Sequence, residues 1–369
     1  MSRHPRIDLI AGARPNFMKV APILRALERH AGEGGALRFR LVHTGQHHDH
    51  AMSGAFFEQL GIPAPDIHLG ATRGTPAAQT GAIMVAYEAL LAQAPAALTL
   101  VVGDVTSTLA CALSARKANI PVAHVEAGIR SGDDAMPEEI NRRATDAVST
   151  LFFTTSETAG ANLRREGVPL ARIHFAGNTM IDTLLAALPH LCPSAAWDAL
   201  ALRPGQYLVL TVHRPANVDA PDNLSRILQA VAANACGLPV VFPVHPRTAR
   251  TLAQCVVPQG IHLVPPQPYR EFNHLIRHSK AAITDSGGVS EETTVLGIPC
   301  MTLRDTTERP ETVTLGTNEL LGSDPARLAQ AFERLFAGAW KRGTVPPRWD
   351  GQAGARIVAA LADHLRLAA

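Results

Sequence analysis

Short runs of Val, Ile and Leu alternate along the chain with longer stretches in which apolar residues recur every three or four positions. The first run, RIDLIA at residues 6–11, predicts a strand. Residues 18–30 follow with Val20, Ile23, Leu24 and Leu27 on one face of a helix. Further strands are predicted at 37–42, 98–102, 121–126, 151–154 and 173–175. Helices are predicted around 54–60 and at 79–92, 108–118, 138–148 and 160–166. The rhythm restarts after a Pro- and Ala-containing stretch at 189–204. It predicts strands at 207–211, 240–244, 281–284 and 300–303, with helices at 223–233, 269–278, 290–296 and 353–365. Val- and Ile-rich strands alternating with helices predict parallel sheets covered by helices on both faces.

The expected fold is α/β, two doubly wound Rossmann-like domains facing a central cleft. A length of 369 residues agrees with two domains at roughly 150 residues each. The division adopted is an N-terminal domain of residues 1–180 and a C-terminal domain of residues 181–352. The pattern alone leaves the last helix, 353–365, open to either, and it is assigned to complete the N-terminal domain.

Composition removes several function classes. Lys and Arg number 34 against 32 Asp and Glu, a net charge of +2, which disfavours nucleic acid held by bulk charge. No apolar stretch reaches the roughly 20 residues that span a bilayer, so no membrane association is expected. The five cysteines are widely spaced without a CxxC, against both a disulfide scaffold and a cysteine zinc site. The first residues show neither a long apolar region nor a cleavage site, so the expected location is cytoplasmic. No metal is expected: His43, His47, His48 and His50 have no matching carboxylate arrangement, and Gly45 interrupts any helix there. No cofactor is expected either. GARPNF stands where a GxGxxG would follow the first strand, and neither GxxxxGK[ST] nor GxSxG occurs.

In doubly wound sheets, ligands bind beyond the carboxyl ends of the strands, and the polar signatures of this chain fall there. DSGGVSEE, residues 285–292, is the sharpest. A strand feeds Ser286-Gly287-Gly288, whose glycines allow a sharp turn and close approach of a ligand. The first N–H groups of the next helix then suit a phosphate. The alternative is an ordinary capped turn, with Glu292 in capping-box chemistry near Val289 rather than accepting from sugar hydroxyls. Cations stand at the other strand ends: His213-Arg214, His245, Arg247, Arg304 and Arg309, with Arg14 and Lys19 after the first strand. A polyphosphate can meet Arg14 and Lys19 together. The less favoured alternative for His213 and His245 is a hydrogen-bonded structural role.

Carboxylates come from the N-terminal half. Asp104 and Glu126 end consecutive strands, and Glu138 and Glu139 open a helix after Met136-Pro137. Two carboxylates near one another in a closed cleft can acquire the proton affinity a general acid or base needs. Glu138 and Glu139 also suit a helix N-terminus, and Arg142, four residues on, can pair with Glu138.

The chain resembles the non-hydrolysing UDP-N-acetylglucosamine 2-epimerases of bacteria over nearly its whole length. Eleven ordered motifs carry this: GARPNFMKVAPI (12–23), HTGQHHD (43–49), GDVTSTLA (103–110), HVEAGIRSGD (124–133), MPEEINRRATD (136–146), GNTMID (177–182), TVHRPANVD (211–219), FPVHPRT (242–248), DSGGVSEE (285–292), GIPCMTLRDTTERPE (297–311) and GTNELLG (316–322). The resemblance implies a glycosyltransferase-B-like fold and interconversion of UDP-N-acetylglucosamine and UDP-N-acetylmannosamine, for polysaccharide biosynthesis. It also implies a homodimer. Carried over by position, Arg14, Lys19, Gln267, Phe272, Ser286, Gly287, Gly288 and Glu292 look like nucleotide-binding residues. Ser286 and the glycines would hold the diphosphate, Glu292 the ribose, and Phe272 the uracil. His213 and Arg309 look like phosphate-side and active-site contacts, and Asp104, Glu126 and Glu138 match the catalytic carboxylates. Gln46 and His47 lie where a second, activating UDP-sugar would bind. Many members have an acidic residue before Asn217 and Gln at 290; here these are Ala216 and Ser290.

The family is thought to eliminate and re-add UDP through 2-acetamidoglucal. Asp104 or Glu126 would then act as base, and Glu138 as acid or orienter. Related readings share much of the pattern: an epimerase of UDP-2,3-diacetamido-glucuronate, a hydrolysing 2-epimerase, a UDP-sugar glycosyltransferase, or a non-catalytic UDP-sugar-binding protein.

Overall fold

The structure, a computed structural model, describes residues 5–45, 59–71 and 74–367, apart from the side chains of Arg14, Pro15 and Leu367. Gln46, His47 and most of the helix predicted around 54–60 lie outside the described residues. The chain divides into two units, Met1–Ala186 with Pro347–Ala369, and Ala187–Pro346.

The first unit is built on a seven-stranded sheet, order β3-β2-β1-β4-β5-β6-β7. Its strands are β1 Arg6–Ala11, β2 Arg38–His43, β3 Ile67–His68, β4 Leu98–Val102, β5 Val122–Val125, β6 Leu151–Thr154 and β7 Ile173–Phe175. All pairings are parallel. Every residue of β4, β5 and β6 is buried. Helices therefore cover both faces, which is why these strands read as continuous apolar runs rather than alternating ones. The strand order reverses between β1 and β4, so the loops after those two strands flank a crevice.

The chain's last segment returns to this unit. Trp349 is buried and its indole N–H donates to Thr155 O at 3.0 Å. Asp182 caps the helix Ala353–Leu367, accepting from Ala353 N (3.1 Å) and Gly354 N (2.8 Å). A Cβ on Gly354 would stand 2.5 Å from Pro22 O, so only glycine lets this helix approach Arg14–Gly32 so closely.

The second unit carries a six-stranded parallel sheet, order β10-β9-β8-β11-β12-β13. Its strands are β8 Leu208–Thr211, β9 Val240–Pro243, β10 Ile261–Val264, β11 Ala281–Thr284, β12 Cys300–Thr302 and β13 Asn318–Leu320. Here the order reverses between β8 and β11. Among the described residues no helix is long and apolar enough to cross a membrane.

The structure adds elements that the pattern did not predict. These are the two-residue edge strand β3, the edge strands β10 and β13, and helices such as Thr179–Ala187 and Pro325–Phe336. The strand predicted at 121–126 ends earlier, at Val125, because Glu126 has φ +69° and leaves the extended conformation.

Candidate active site

In the first unit, polar groups gather where β1, β4 and β5 end. After β1 the chain turns at Gly12, where a Cβ would stand 2.1 Å from Ser107 Oγ and 2.6 Å from Thr44 Oγ1. Asn16 then organises the start of the helix Arg14–Gly32. Its Oδ1 accepts from Ala13 N (3.0 Å) and its Nδ2 donates to Val102 O at the end of β4 (2.9 Å). Arg14 opens this helix, and its side chain is outside the described residues.

One turn later Lys19 Nζ donates to Glu126 Oε2 at 2.5 Å, with both side chains largely buried. Glu126 is one of the few non-glycine residues in the left-handed region, a conformation that costs about 1–3 kcal/mol and marks positions held by their surroundings. Its N–H donates to Phe153 O at 3.0 Å. Asp104 follows Gly103, whose φ of +69° turns the chain out of β4. The Asp104 carboxylate accepts from Arg142, and Asn141 Nδ2 donates to Asp104 O at 2.9 Å. Arg142 also donates to Glu139 Oε2 at 2.6 Å. That buried oxygen takes Ser131 N and Oγ as well, both at 2.9 Å. Glu138 is half-buried on the same helix, Pro137–Val148.

These contacts correct one expectation. Arg142 pairs with Glu139 and Asp104, not with Glu138, because its guanidinium reaches inward from the buried face while Glu138 lies at the half-exposed edge. Asp104 is paired with Arg142 and Glu126 with Lys19, and Glu126 Oε2 would stand 3.5 Å from a Cβ on Gly103, next to Asp104.

In the second unit the organising group is Asp285, wholly buried just past β11. Its carboxylate accepts from His213 N (3.1 and 3.0 Å), Arg214 N (2.9 Å) and Asn217 Nδ2 (3.0 Å), and lies 2.9 Å from His213 Nδ1. Burial pushes the Asp285 carboxyl up, but His213, Asn217 and Arg214 together hold it below the usual range. The His213 ring, 38% exposed, is thus oriented through Nδ1, with Nε2 on its other side. His245 is exposed, 5.5 Å from His213 between ring centroids, and its Nδ1 accepts from Arg247 N at 3.1 Å. Arg247 is taken by Asp219 (2.9 and 2.7 Å) and Arg304 by Glu308 (2.8 and 2.8 Å), so these two cations serve local pairs.

The helix after β11 runs Gly287–Leu296 with Ser286 as N-cap, three residues earlier than predicted. Neither Gly287 nor Gly288 has a positive φ, so a sharp left-handed turn is not what requires them. Among the described residues a Cβ on Gly287 would meet nothing within 4 Å, and the first N–H groups of this helix suit an anion. Ser286 provides no side-chain cap, and Ser290 Oγ bonds back to Gly287 O at 2.7 Å. Glu292 is no capping-box partner. It points inward, accepting from Tyr269 OH at 2.8 Å and Asn273 Nδ2 at 3.4 Å. Burial lifts its carboxyl to about 7, against those two hydrogen bonds. Beside it Glu291 forms a buried ion pair with Arg309. Phe272 packs half-buried against the cluster of Leu275, Ile276 and Val289, and Gln267 Nε2 donates to Pro265 O at 2.6 Å.

Within the first unit the structure therefore brings together Lys19, Glu126, Asp104 and Arg142. Within the second it groups His213 with His245, and Glu292 with Arg309 through Glu291. The sequence reading did not single out Asp285, Tyr269, Asn273 and Glu291, whereas it named Glu139 beside Glu138. Asp285 and Glu291 had a signal, since both lie inside the DSGGVSEE motif at a strand end.

Comparison with known proteins bears on this arrangement. A family model described as UDP-N-acetylglucosamine 2-epimerase matches residues 29–362. The UDP-N-acetylglucosamine 2-epimerase of Methanocaldococcus jannaschii is 37% identical, over 96% of this chain and 98% of that protein. A crystal structure of the M. jannaschii enzyme in complex with UDP-GlcNAc and UDP superposes with a TM-score of 0.86, at 36% identity over 97% of this chain and 99% of that one. A UDP-2,3-diacetamido-2,3-dideoxy-D-glucuronate 2-epimerase of Pseudomonas aeruginosa is 38% identical over 97% and 99%. Matches of this extent run through both sheets and all the strand-end motifs: the chain is an epimerase and belongs to the UDP-N-acetylglucosamine 2-epimerase family.

Proposed function

We propose that this protein interconverts UDP-N-acetylglucosamine and UDP-N-acetylmannosamine without hydrolysing either. The observation that carries the reading is the family match over both units, joined to two polar clusters whose chemistry suits the two halves of such a substrate. The second unit is assigned the UDP. The helix N-terminus at Ser286-Gly287-Gly288 takes the diphosphate, Glu292 the ribose hydroxyls, and Phe272 and Gln267 the base. His213 and Arg309 stabilise charge on the departing phosphate. The first unit is assigned the sugar, with Asp104, Glu126 and Glu138 at C2 and C1, Lys19 paired with Glu126 and Arg142 with Asp104.

C2 has no adjacent carbonyl, so its proton is not acidic enough for direct exchange. Elimination avoids the difficulty. Asp104 or Glu126 takes the C2 proton, the C–H electrons form the C1–C2 double bond, and the anomeric C–O electrons leave with UDP. The product, 2-acetamidoglucal, then accepts a proton at C2 on its opposite face while a UDP phosphate oxygen re-forms the bond to C1. Glu138 orients or donates. No redox cofactor enters this balance.

The P. aeruginosa relative supports a second reading, in which the same chemistry acts on a 2,3-diacetamido glucuronate. We also infer a homodimer. The helix Pro76–Gln93 buries Ile83, Tyr87 and Leu91 on one side, while Ala78, Ala82, Val85, Ala89 and Ala92 form an exposed apolar seam on the other. Incubation with each UDP-sugar followed by product separation tests the reading. A stable mixture of the two C2 epimers supports it, free N-acetylmannosamine with UDP supports a hydrolysing enzyme, and turnover of the diacetamido substrate alone selects the second reading.

A further inference from the structure

His124 lies in β5, wholly buried, between Val101 of β4 and Phe152 of β6. Yet both its ring nitrogens face oxygen acceptors. Nε2 is 2.8 Å from Gly103 O and Nδ1 is 2.7 Å from Asp146 Oδ1. Gly103 N in turn donates to Val125 O at 3.0 Å. Both peptide groups flanking Gly103 are therefore held by β5, and the second of them carries Asp104. Asp146 Oδ2 reaches the other way, accepting from Gly128 N at 3.0 Å and Arg130 NH1 at 2.8 Å. Glu126 lies midway between His124 and Gly128 in sequence, in its left-handed conformation. Asp146 itself stands on Pro137–Val148, the helix of Glu138, and is four residues beyond Arg142.

One buried carboxylate and one buried imidazole thus tie together three elements: the turn of Asp104, the turn of Glu126 and the helix of Glu138. We propose that His124 and Asp146 are positioning residues for inversion at C2, acting through Gly103 and Gly128 without touching substrate. The inference rests on the epimerase chemistry assigned above to Asp104, Glu126 and Glu138.

The test uses the full chain and the variants H124Q, H124N and D146N. Gln places its amide nitrogen near the position of Nε2 and keeps the donor to Gly103, whereas Asn places it near Nδ1 and keeps only the Asp146 contact. The expected result is a kcat within about tenfold of wild type for H124Q. A fall of about 100-fold is expected for H124N and D146N, since misplacement by about 1 Å has that effect. UDP affinity by calorimetry stays within about twofold in all three. Wild-type kcat in H124N, or equal kcat in H124Q and H124N with equal loss of thermal stability, overturns the proposal. Proton NMR of the wild type gives a readout independent of turnover and of variant folding. A slowly exchanging downfield His124 Nε2–H resonance is expected, and its absence overturns the proposal. A wild type that shows this resonance but turns over neither UDP-sugar contradicts the functional reading instead.

Discussion

Replacing Glu292 with Gln should stabilise the protein at pH 8 while weakening its hold on UDP. The carboxylate is 4% exposed, and Tyr269 OH and Asn273 Nδ2 both approach the same oxygen, Oε1. Glu291 stands beside it, itself paired with Arg309. Burial prevails over the two hydrogen bonds and raises the carboxyl from 4.5 to about 7. At about 1.4 kcal/mol per tenfold change in proton affinity, ionising Glu292 in the folded protein costs about 3 kcal/mol more than in the unfolded chain. The sign follows from the direction. The folded state binds this proton more tightly, so the associated stability is full below pH 4.5 and is lost as pH rises through 7. Urea unfolding followed by fluorescence of Trp197 and Trp340, both in the second unit, measures it. E292Q should exceed wild type by about 1–3 kcal/mol at pH 8, with the difference shrinking towards zero near pH 4.5. UDP should bind wild type roughly tenfold more weakly at pH 6 than at pH 8, relative to E292Q, which shares the titration of UDP itself. A stability difference between E292Q and wild type that is the same at both ends of the pH range would refute the reasoning.

Other substitutions probe the remaining assignments. D104N, E126Q and E138Q should each lower kcat about 100-fold or more with UDP affinity within about twofold, and near-normal turnover in all three would sink the carboxylate assignment. D285A removes the acceptor shared by His213, Arg214 and Asn217. It should destabilise the second unit by about 3 kcal/mol and cut turnover, so a loss under about 0.5 kcal/mol by urea unfolding contradicts that role. On the homodimer inferred above, V85E places a charge in the exposed seam of Pro76–Gln93 and should halve the mass seen by light scattering; an unchanged mass rejects that seam as the interface.

The central strands were legible because burial on both faces leaves uninterrupted runs such as LTLVV in β4 and AAIT in β11. The edges were not. β10 is IHLV with His262 half-buried and Leu263 exposed, and β13 is the polar NEL. Pro325–Phe336 carries a signal as well, with Leu328, Ala331, Phe332 and Leu335 at helical spacing. Strand-end placement singled out Asp104, Glu126 and His213, because polar residues after apolar runs are conspicuous, and Glu292 came with the DSGGVSEE motif that follows β11. Their supports were hidden. Tyr269 and Asn273 sit four apart in an ordinary amphipathic helix, and His124 is embedded in a strand. Which cation meets which carboxylate depends on side-chain direction, which spacing alone does not determine, and so Arg142 was paired with Glu138 instead of Glu139 and Asp104.

Proton NMR of the protein with UDP-N-acetylglucosamine in D2O, without added metal, tests the central claim most directly. Elimination and re-addition predict growth of UDP-N-acetylmannosamine signals with deuterium entering at C2, and trace 2-acetamidoglucal with UDP. Conversion that leaves protium at C2 throughout would contradict C2–H cleavage by a solvent-exchanging carboxylate, and with it the roles given to Asp104 and Glu126.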